Sequence, residues 1–265
     1  MRSDEGMQTL RKGLKILALI SRTPQGLTVE EIAQATGMRR RTLYLYLKTL
    51  EAERYVAQDP ETRRFVAYYP HPGFPLPTES FQDPTLFQDL AAKAFQHTRH
   101  RAYVVVIRPW GLQLVATAGK PGQPKRLDPE GRGAVSPYAH ASSAGQAILA
   151  HFPPEALWAH LARFPLKPFT PRTLTSLDAL EARLREARAQ GFARSRGELT
   201  PKRCGLAVPL FSPSGHILGA LALGLPLHKV CAFEAPEVPG ACRACPELLP
   251  TLWHVKEEIW PFSAT

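Results

Sequence analysis

Apolar positions in the first fifty residues recur at helical spacing. Leu10, Leu14, Leu17, Ala18 and Ile20 make one amphipathic helix, closed by the breaker Thr23-Pro24-Gln25-Gly26. Thr28 is a good N-cap, and Glu31 three residues later completes a capping box ahead of a short helix with an apolar stripe of Val29, Ile32 and Ala33. Gly37 ends that helix. Next, Leu43, Leu47 and Leu50 share one face of a further helix, with Arg40, Arg41, Tyr44 and Lys48 on the opposite face. The pattern then changes to short strands: Tyr55-Val56-Ala57, a turn at Asp59-Pro60-Glu61-Thr62, and Phe65-Val66-Ala67-Tyr68. Helix, helix-turn-helix and hairpin together predict a winged helix.

The Pro-rich stretch 70–84 reads as a semi-rigid linker. Beyond it the pattern predicts a helix over 85–97, strands over 102–107 and 112–118, and a Gly/Pro-rich loop over 120–137. Helices over 142–151, 154–164 and 177–190 follow, then a hairpin of 205–211 and 217–223 across Ser212-Pro213-Ser214-Gly215-His216. The expected fold is α+β. A winged helix-turn-helix over 1–69 precedes the linker, and a second domain over 85–265 carries helices on an antiparallel sheet.

Composition narrows the classes. At 265 residues with 44% hydrophobic positions, the chain supports two cores. No apolar run is long enough to span a membrane and the N-terminus lacks a signal-peptide pattern, so a cytoplasmic location is expected. The net charge of +10 favours an anionic partner, although most of the excess lies after residue 80. The local run Arg39-Arg40-Arg41 therefore matters more than the total.

On the helix, a buried face backed by a basic, hydrogen-bonding face suits a major groove. Arg40, Arg41 and Tyr44 are expected at base edges. Arg39, Lys48, Arg63 and Arg64 are expected at phosphates, with Thr28 and Thr42 completing the predicted interface to double-stranded DNA. No Gly-rich phosphate loop, nucleophile elbow or metalloprotease helix is present, and Lys120-Pro121-Gly122-Gln123 is too Pro-laden for a cofactor loop. An enzyme that uses its winged helix only for dimerisation is the alternative this disfavours.

One further pattern carries chemistry. His228 and Cys231, then Cys242 and Cys245, form two pairs each with two intervening residues, separated by a Pro- and Gly-containing segment. One imidazole and three thiols suit a tetrahedral structural zinc. A disulfide, an iron–sulfur cluster that recruits Cys204, and unlinked buried thiols are the alternatives, and a metal- or redox-responsive regulator is the corresponding functional reading.

Taken together, Gly37 to Leu50 with Tyr55-Val56, the run His140 to Ala150, and Gly197-Glu198, Cys204, Ala207 to Phe211, Gly219-Ala220-Leu221 and Pro226 resemble the IclR family of bacterial transcriptional regulators. The resemblance implies a winged helix joined to a GAF-like effector-binding domain, in dimers or tetramers whose operator binding responds to a small metabolite. It implies an effector site at Tyr138, His140, Ala141, Ser142, Ser143 and Gly145, with Ser195, Glu198, Cys204, Ala222 and Gly224 on or near the C-terminal strands. Arg41, Leu45 and Arg54 depart from the family pattern. So do Ala222 and Gly224, where hydroxyls line the last strand of relatives with small-acid effectors, and Ser195, where an acid is usual. These last departures imply a larger or more apolar effector, or none.

Overall fold

The computed structural model describes residues 2–67, 84–108, 110–120, 133–134, 136–226 and 244–262. It divides into two compact units. One comprises Met1–Leu76, Arg108–Trp110 and Pro154–Arg163, the other Pro77–Ile107, Gly111–Pro153 and Phe164–Thr265.

In the first unit, α1 (Arg2–Ser21), α2 (Val29–Thr36) and α3 (Arg40–Ala52) precede the antiparallel pair β1 (Val56–Gln58) and β2 (Phe65–Ala67). The capping box at α2 is complete: the Glu31 amide donates to Thr28 Oγ1 at 3.2 Å, and the Thr28 amide donates to Glu31 Oε2 at 2.7 Å. Gly37 closes α2 with φ +67°, a left-handed cap that glycine reaches without strain. Ile16, Ile20, Val29, Ile32, Leu43, Leu47, Val56 and Phe65 form one core. The first helix divides its apolar residues differently from the sequence pattern. Ile16 and Ile20 carry the burial, while Met7, Leu10 and Leu14 stay 60%, 62% and 55% exposed. An isolated bridge from Leu27 to Phe65 extends the wing.

In the second unit, α4 (Pro84–Thr98) leads into a six-stranded sheet of order β5-β4-β3-β8-β7-β6. Its strands are β3 (Arg101–Arg108), β4 (Gly111–Ala118), β5 (Gly133–Ala134), β6 (Ala193–Arg196), β7 (Arg203–Phe211) and β8 (Ile217–Pro226). Between β5 and β6 run a 3-10 segment (Ser136–Ala141), α5 (Ser143–Leu149), α6 (Pro154–Arg163, which clusters with the first unit) and α7 (Leu177–Gln190). The last helix is α8 (Ala244–Ile259).

Period-two alternation splits the sheet between two layers. Val104, Val106, Leu206, Val208, Leu221 and Leu223 join Phe87, Leu90 and Ala94 of α4 and Leu252 and Val255 of α8 in the larger core. Trp260 locks that layer. It is fully buried, stacks on Phe87 at 5.8 Å between centroids, and donates its indole N–H to the Phe211 carbonyl at 2.6 Å. The opposite face carries small residues, Ala207, Ala220 and Ala222, and the buried helix α5 packs against β7 and β8 there.

Most of the expected linker, and residues 121–132 and 135 of the expected loop over 120–137, lie outside the described residues, as do His228, Cys231 and Cys242 and the side chain of Cys245. Among the described residues no group of His, Cys, Asp and Glu could hold a metal ion, and no helix is long and apolar enough to cross a membrane.

Candidate functional site

Two sites emerge, one in each unit. On α3, Leu43 and Leu47 are fully buried, which turns the other side of the helix to solvent. Arg40, Arg41, Thr42, Tyr44 and Lys48 are all exposed there, as is Arg39 at the N-cap. Leu45, 66% exposed, lies on the same face as Arg41, Tyr44 and Lys48, and the sequence reading missed it. The signal was available in the spacing, since Leu45 sits four residues after Arg41 and out of register with Leu43, Leu47 and Leu50.

Other members are already engaged. Arg40 Nη1 lies 3.1 Å from Glu30 Oε1, an exposed pair that water screens. Thr28 is occupied in the capping box. Arg63 is exposed near the wing turn, which Asp59 Oδ1 shapes by accepting from the Glu61 amide at 3.0 Å and the Thr62 amide at 3.3 Å. Arg64 is drawn inward instead: Nη2 reaches both Glu31 oxygens at 2.8 Å and Nε donates to the Gly26 carbonyl at 3.1 Å. Its guanidinium braces the wing against the α2 cap. The Thr28 amide, with Arg64 beside it, holds the Glu31 carboxyl below its ordinary range.

The second site is a cavity of about 230 Å³ on the small-residue face of the sheet. Strand register explains why it exists. Arg101 of β3 pairs with Gly224 of β8, Gly224 with Gly205 of β7, and Gly205 with Ser195 of β6. One row across four strands therefore reads Arg, Gly, Gly, Ser, a floor with no side chain at its centre. The next row, Tyr103, Ala222, Ala207 and Ala193, stays small beside its tyrosine. The two glycines differ. A Cβ on Gly205 would stand 2.3 Å from Ser143 Oγ, whereas one on Gly224 would meet only Tyr103 Cε1 at 3.7 Å and the Arg101 carbonyl at 3.9 Å.

Of the expected effector residues, Tyr138, Ala141, Ser142, Ser195, Cys204 and Gly224 line the cavity. Ser142 also caps α5, accepting from the Gly145 amide at 3.1 Å. The others have positions of their own. His140 is buried with Nε2 3.0 Å from the Lys167 carbonyl, and burial lowers its pKa against that contact. Gly145 allows close approach to Ala139, whose carbonyl oxygen would be 2.1 Å from an added Cβ. Ser143 is buried under Gly205. Ala222 belongs to the second row. Glu198 is buried, paired with Arg183 Nη1 at 3.2 Å and accepting from the Arg196 amide. Burial raises its pKa despite those partners. It braces the loop after β6.

The sequence reading also missed Arg101, Tyr103, Leu114, Thr117, Thr200 and Arg203 in the cavity wall. Two arginines and several hydroxyls at one cavity reverse the expectation of a pocket stripped of polar groups. The polar atoms come from β3, β4 and the loop after β6 rather than from the last strand.

Residues 9–60 match the family model described as the IclR helix-turn-helix domain, and residues 132–249 that of the bacterial transcriptional regulator IclR C-terminal domain. The chain belongs to the IclR family. It is a DNA-binding transcriptional regulator with an effector-binding domain, not an enzyme. Its partners are DNA and a small-molecule effector. Among curated relatives, the HTH-type transcriptional regulator BhcR of Paracoccus denitrificans is 29% identical over 236 residues, covering 85% of this chain and 80% of that protein. The crystal structure of Thermotoga maritima IclR shares the fold with a TM-score of 0.53 at 20% identity, covering 96% of both chains. An IclR homologue from Microbacterium hydrocarbonoxydans, solved with 4-hydroxybenzoate, gives 0.53 at 19% identity over 95% of this chain and 98% of its own.

Proposed function

We propose that this IclR-type regulator reads its operator with Arg41, Tyr44 and Leu45 in the major groove, with Arg39, Lys48 and Arg63 on phosphates, and responds to a small organic anion. The reading of α3 rests on its exposed face behind the buried leucines. Arg41 would donate to a guanine edge, and Leu45 would pack on a thymine methyl. Arg40 would join them by exchanging Glu30 for DNA, and Arg64 has a bracing role in place of a phosphate contact.

The observation that carries the effector class is the row Arg101, Gly224, Gly205, Ser195 with Arg203 also in the wall. An anionic group would sit at the arginines, with the flat body of the molecule over the glycines and a hydroxyl or carbonyl toward Ser195. The homologue solved with 4-hydroxybenzoate makes a hydroxylated aromatic carboxylate the first compound to try. Selection of DNA from a random pool, with and without a panel of carboxylates, tests both halves. Arg101→Gln should abolish the ligand response and keep DNA binding. A response to carboxylates unchanged by Arg101→Gln overturns the assignment.

The protein is read as cytoplasmic, and as a homodimer or a higher assembly of dimers. The exposed stripe Met7, Leu10 and Leu14 on α1 supports association with a second copy. His228, Cys231, Cys242 and Cys245 are proposed to hold one structural zinc, a reading supported by their spacing alone. Elemental analysis of protein purified without added metal should find one zinc per chain, lost in Cys242→Ser. Metal-free protein whose stability ignores chelation overturns it.

A further inference from the structure

A second cavity, of about 400 Å³, opens beyond the other end of α5 from the effector cavity. Ala141 and Ser142, just before α5, line the first cavity, and His151, just after it, lines the second. The seven-residue helix between them spans roughly 10 Å. The second cavity lies where β6 stops. That strand covers only Cys204 to Ala207 of β7, so Val208, Pro209 and Phe211 form part of the wall. Trp253, Lys256 and Glu257, on one face of α8, form another part, and Arg188 near the end of α7 completes the charge pattern.

We infer that this cavity is a second ligand site, for a small aromatic carboxylate whose anionic group lies between Arg188 and Lys256 and whose ring rests on Trp253. Three observations carry this. First, two cations line the cavity and one of them is fixed. Arg188 Nε donates to the Ala150 carbonyl at 2.5 Å and Nη2 to the Phe152 carbonyl at 3.4 Å, which fixes the guanidinium and leaves three of its five N–H donors. Neither Arg188 nor Lys256 forms a salt bridge among the described residues. Glu257, which acts on Lys256, is the one carboxylate among the described lining residues, so that lining remains net cationic.

Second, the site's field is already felt. Burial and the Arg188 charge push His151 down to about 4, and burial lowers Lys256 although Glu257 opposes it. The imidazole is thus neutral at pH 7 beside a charge that an anion would compensate. Third, the apolar walls suit a ring. Trp253 is 37% exposed, with Phe192 edge-on at 6.4 Å between centroids, and His151 meets Phe211 edge-on at 4.9 Å. The volume is that of a small-metabolite pocket rather than a peptide groove.

The test uses the full-length protein and 4-bromobenzoate as probe. Calorimetric titration should give two classes of site, and anomalous scattering from co-crystals should place one bromine between Trp253 and Lys256. Lys256→Gln, and separately Trp253→Leu, should weaken one class by about fivefold or more, the loss of roughly one charge–charge or ring contact. Gly224→Leu should remove the other class only. Melting curves matching wild type exclude misfolding as the cause. A single class that Gly224→Leu removes, or a second class indifferent to both Lys256→Gln and Trp253→Leu, overturns the proposal. Bromine in the cavity without a second class in solution, meaning binding at crystal concentration only, overturns it too. If the Gly224-sensitive class is missing while the other is present, the effector-cavity reading fails and this one stands.

Discussion

Arg54 holds φ at +58°, a left-handed conformation in which a Cβ crowds its own backbone. It stands between the end of α3 and the wing, where the family pattern usually has glycine. Arg54→Gly should therefore stabilise the protein by about 0.5–1 kcal/mol, the strain relieved less the entropy glycine loses on folding. Urea unfolding would show it as a higher midpoint at unchanged slope, and a lower midpoint would mean the arginine side chain contributes more than its backbone costs. The paired glycines of the cavity floor make a sharper contrast. Gly224→Leu places its first carbon at ordinary contact distances and the rest in the cavity, so it should silence the effector response and spare DNA binding. Gly205→Ala drives into Ser143 and should cost about 1–3 kcal/mol of stability. A mobility-shift titration with ligand, beside thermal melts of both variants, separates blocking from unfolding. Neither glycine's role can be read from its identity; Gly205 is constrained by Ser143 of α5 packed above it, and Gly224 has only Tyr103 and the Arg101 carbonyl of β3 within contact distance.

The same limit explains what was legible at the scale of elements. The α2 cap, the α3 leucines and the main hairpins follow local rules and were readable. Strand β6 has only four residues and alternates arginine with alanine or serine, so it carried no apolar signature. The division of α1 was hidden for a different reason. Periodicity gives the stripe Leu10, Leu14, Leu17, Ala18 and Ile20, but the fully buried residues of α1 are Ile20 and Ile16, which that stripe omits, and Leu10, Leu14 and Ala18 stay exposed. Arg64 looked like a wing-tip phosphate contact because its sequence position fits, yet Glu31, remote in sequence, claims it. The Thr28 amide, together with that bridge, gives the first unit a pH signature. The Glu31 pKa in the folded state lies below its ordinary 4.5, so the carboxylate stabilises the fold above that value and the contribution fades as pH falls through the lower, folded pKa. Glu31→Gln should flatten the acid limb of a stability–pH profile and leave neutral-to-alkaline behaviour parallel to wild type. An unchanged acid limb would show that the cap does not titrate with folding.

For the molecule as a whole, net charge says less than its placement. The chain carries +10, yet the basic set proposed to face DNA is small and two arginines near it are already paired with Glu30 and Glu31. If Arg39, Lys48 and Arg63 supply the phosphate contacts, one protomer neutralises about three phosphates and a dimer about six. Counterion release then gives a slope of log K against log salt of roughly −5 for the dimer and −3 for a single protomer. The exposed stripe of α1 provides the means to separate the two. Leu10 and Leu14 lie one turn apart on a face with no core behind it, so Leu10→Glu with Leu14→Glu removes the apolar surface proposed to join two copies without touching Ile16 or Ile20. Sedimentation velocity should show a smaller species with an intact melting transition. Its DNA binding should weaken because two half-sites no longer act together, and its salt slope should fall to about half. A variant that sediments as wild type, or that becomes smaller and keeps the full slope, would locate the joining surface or the phosphate contacts elsewhere.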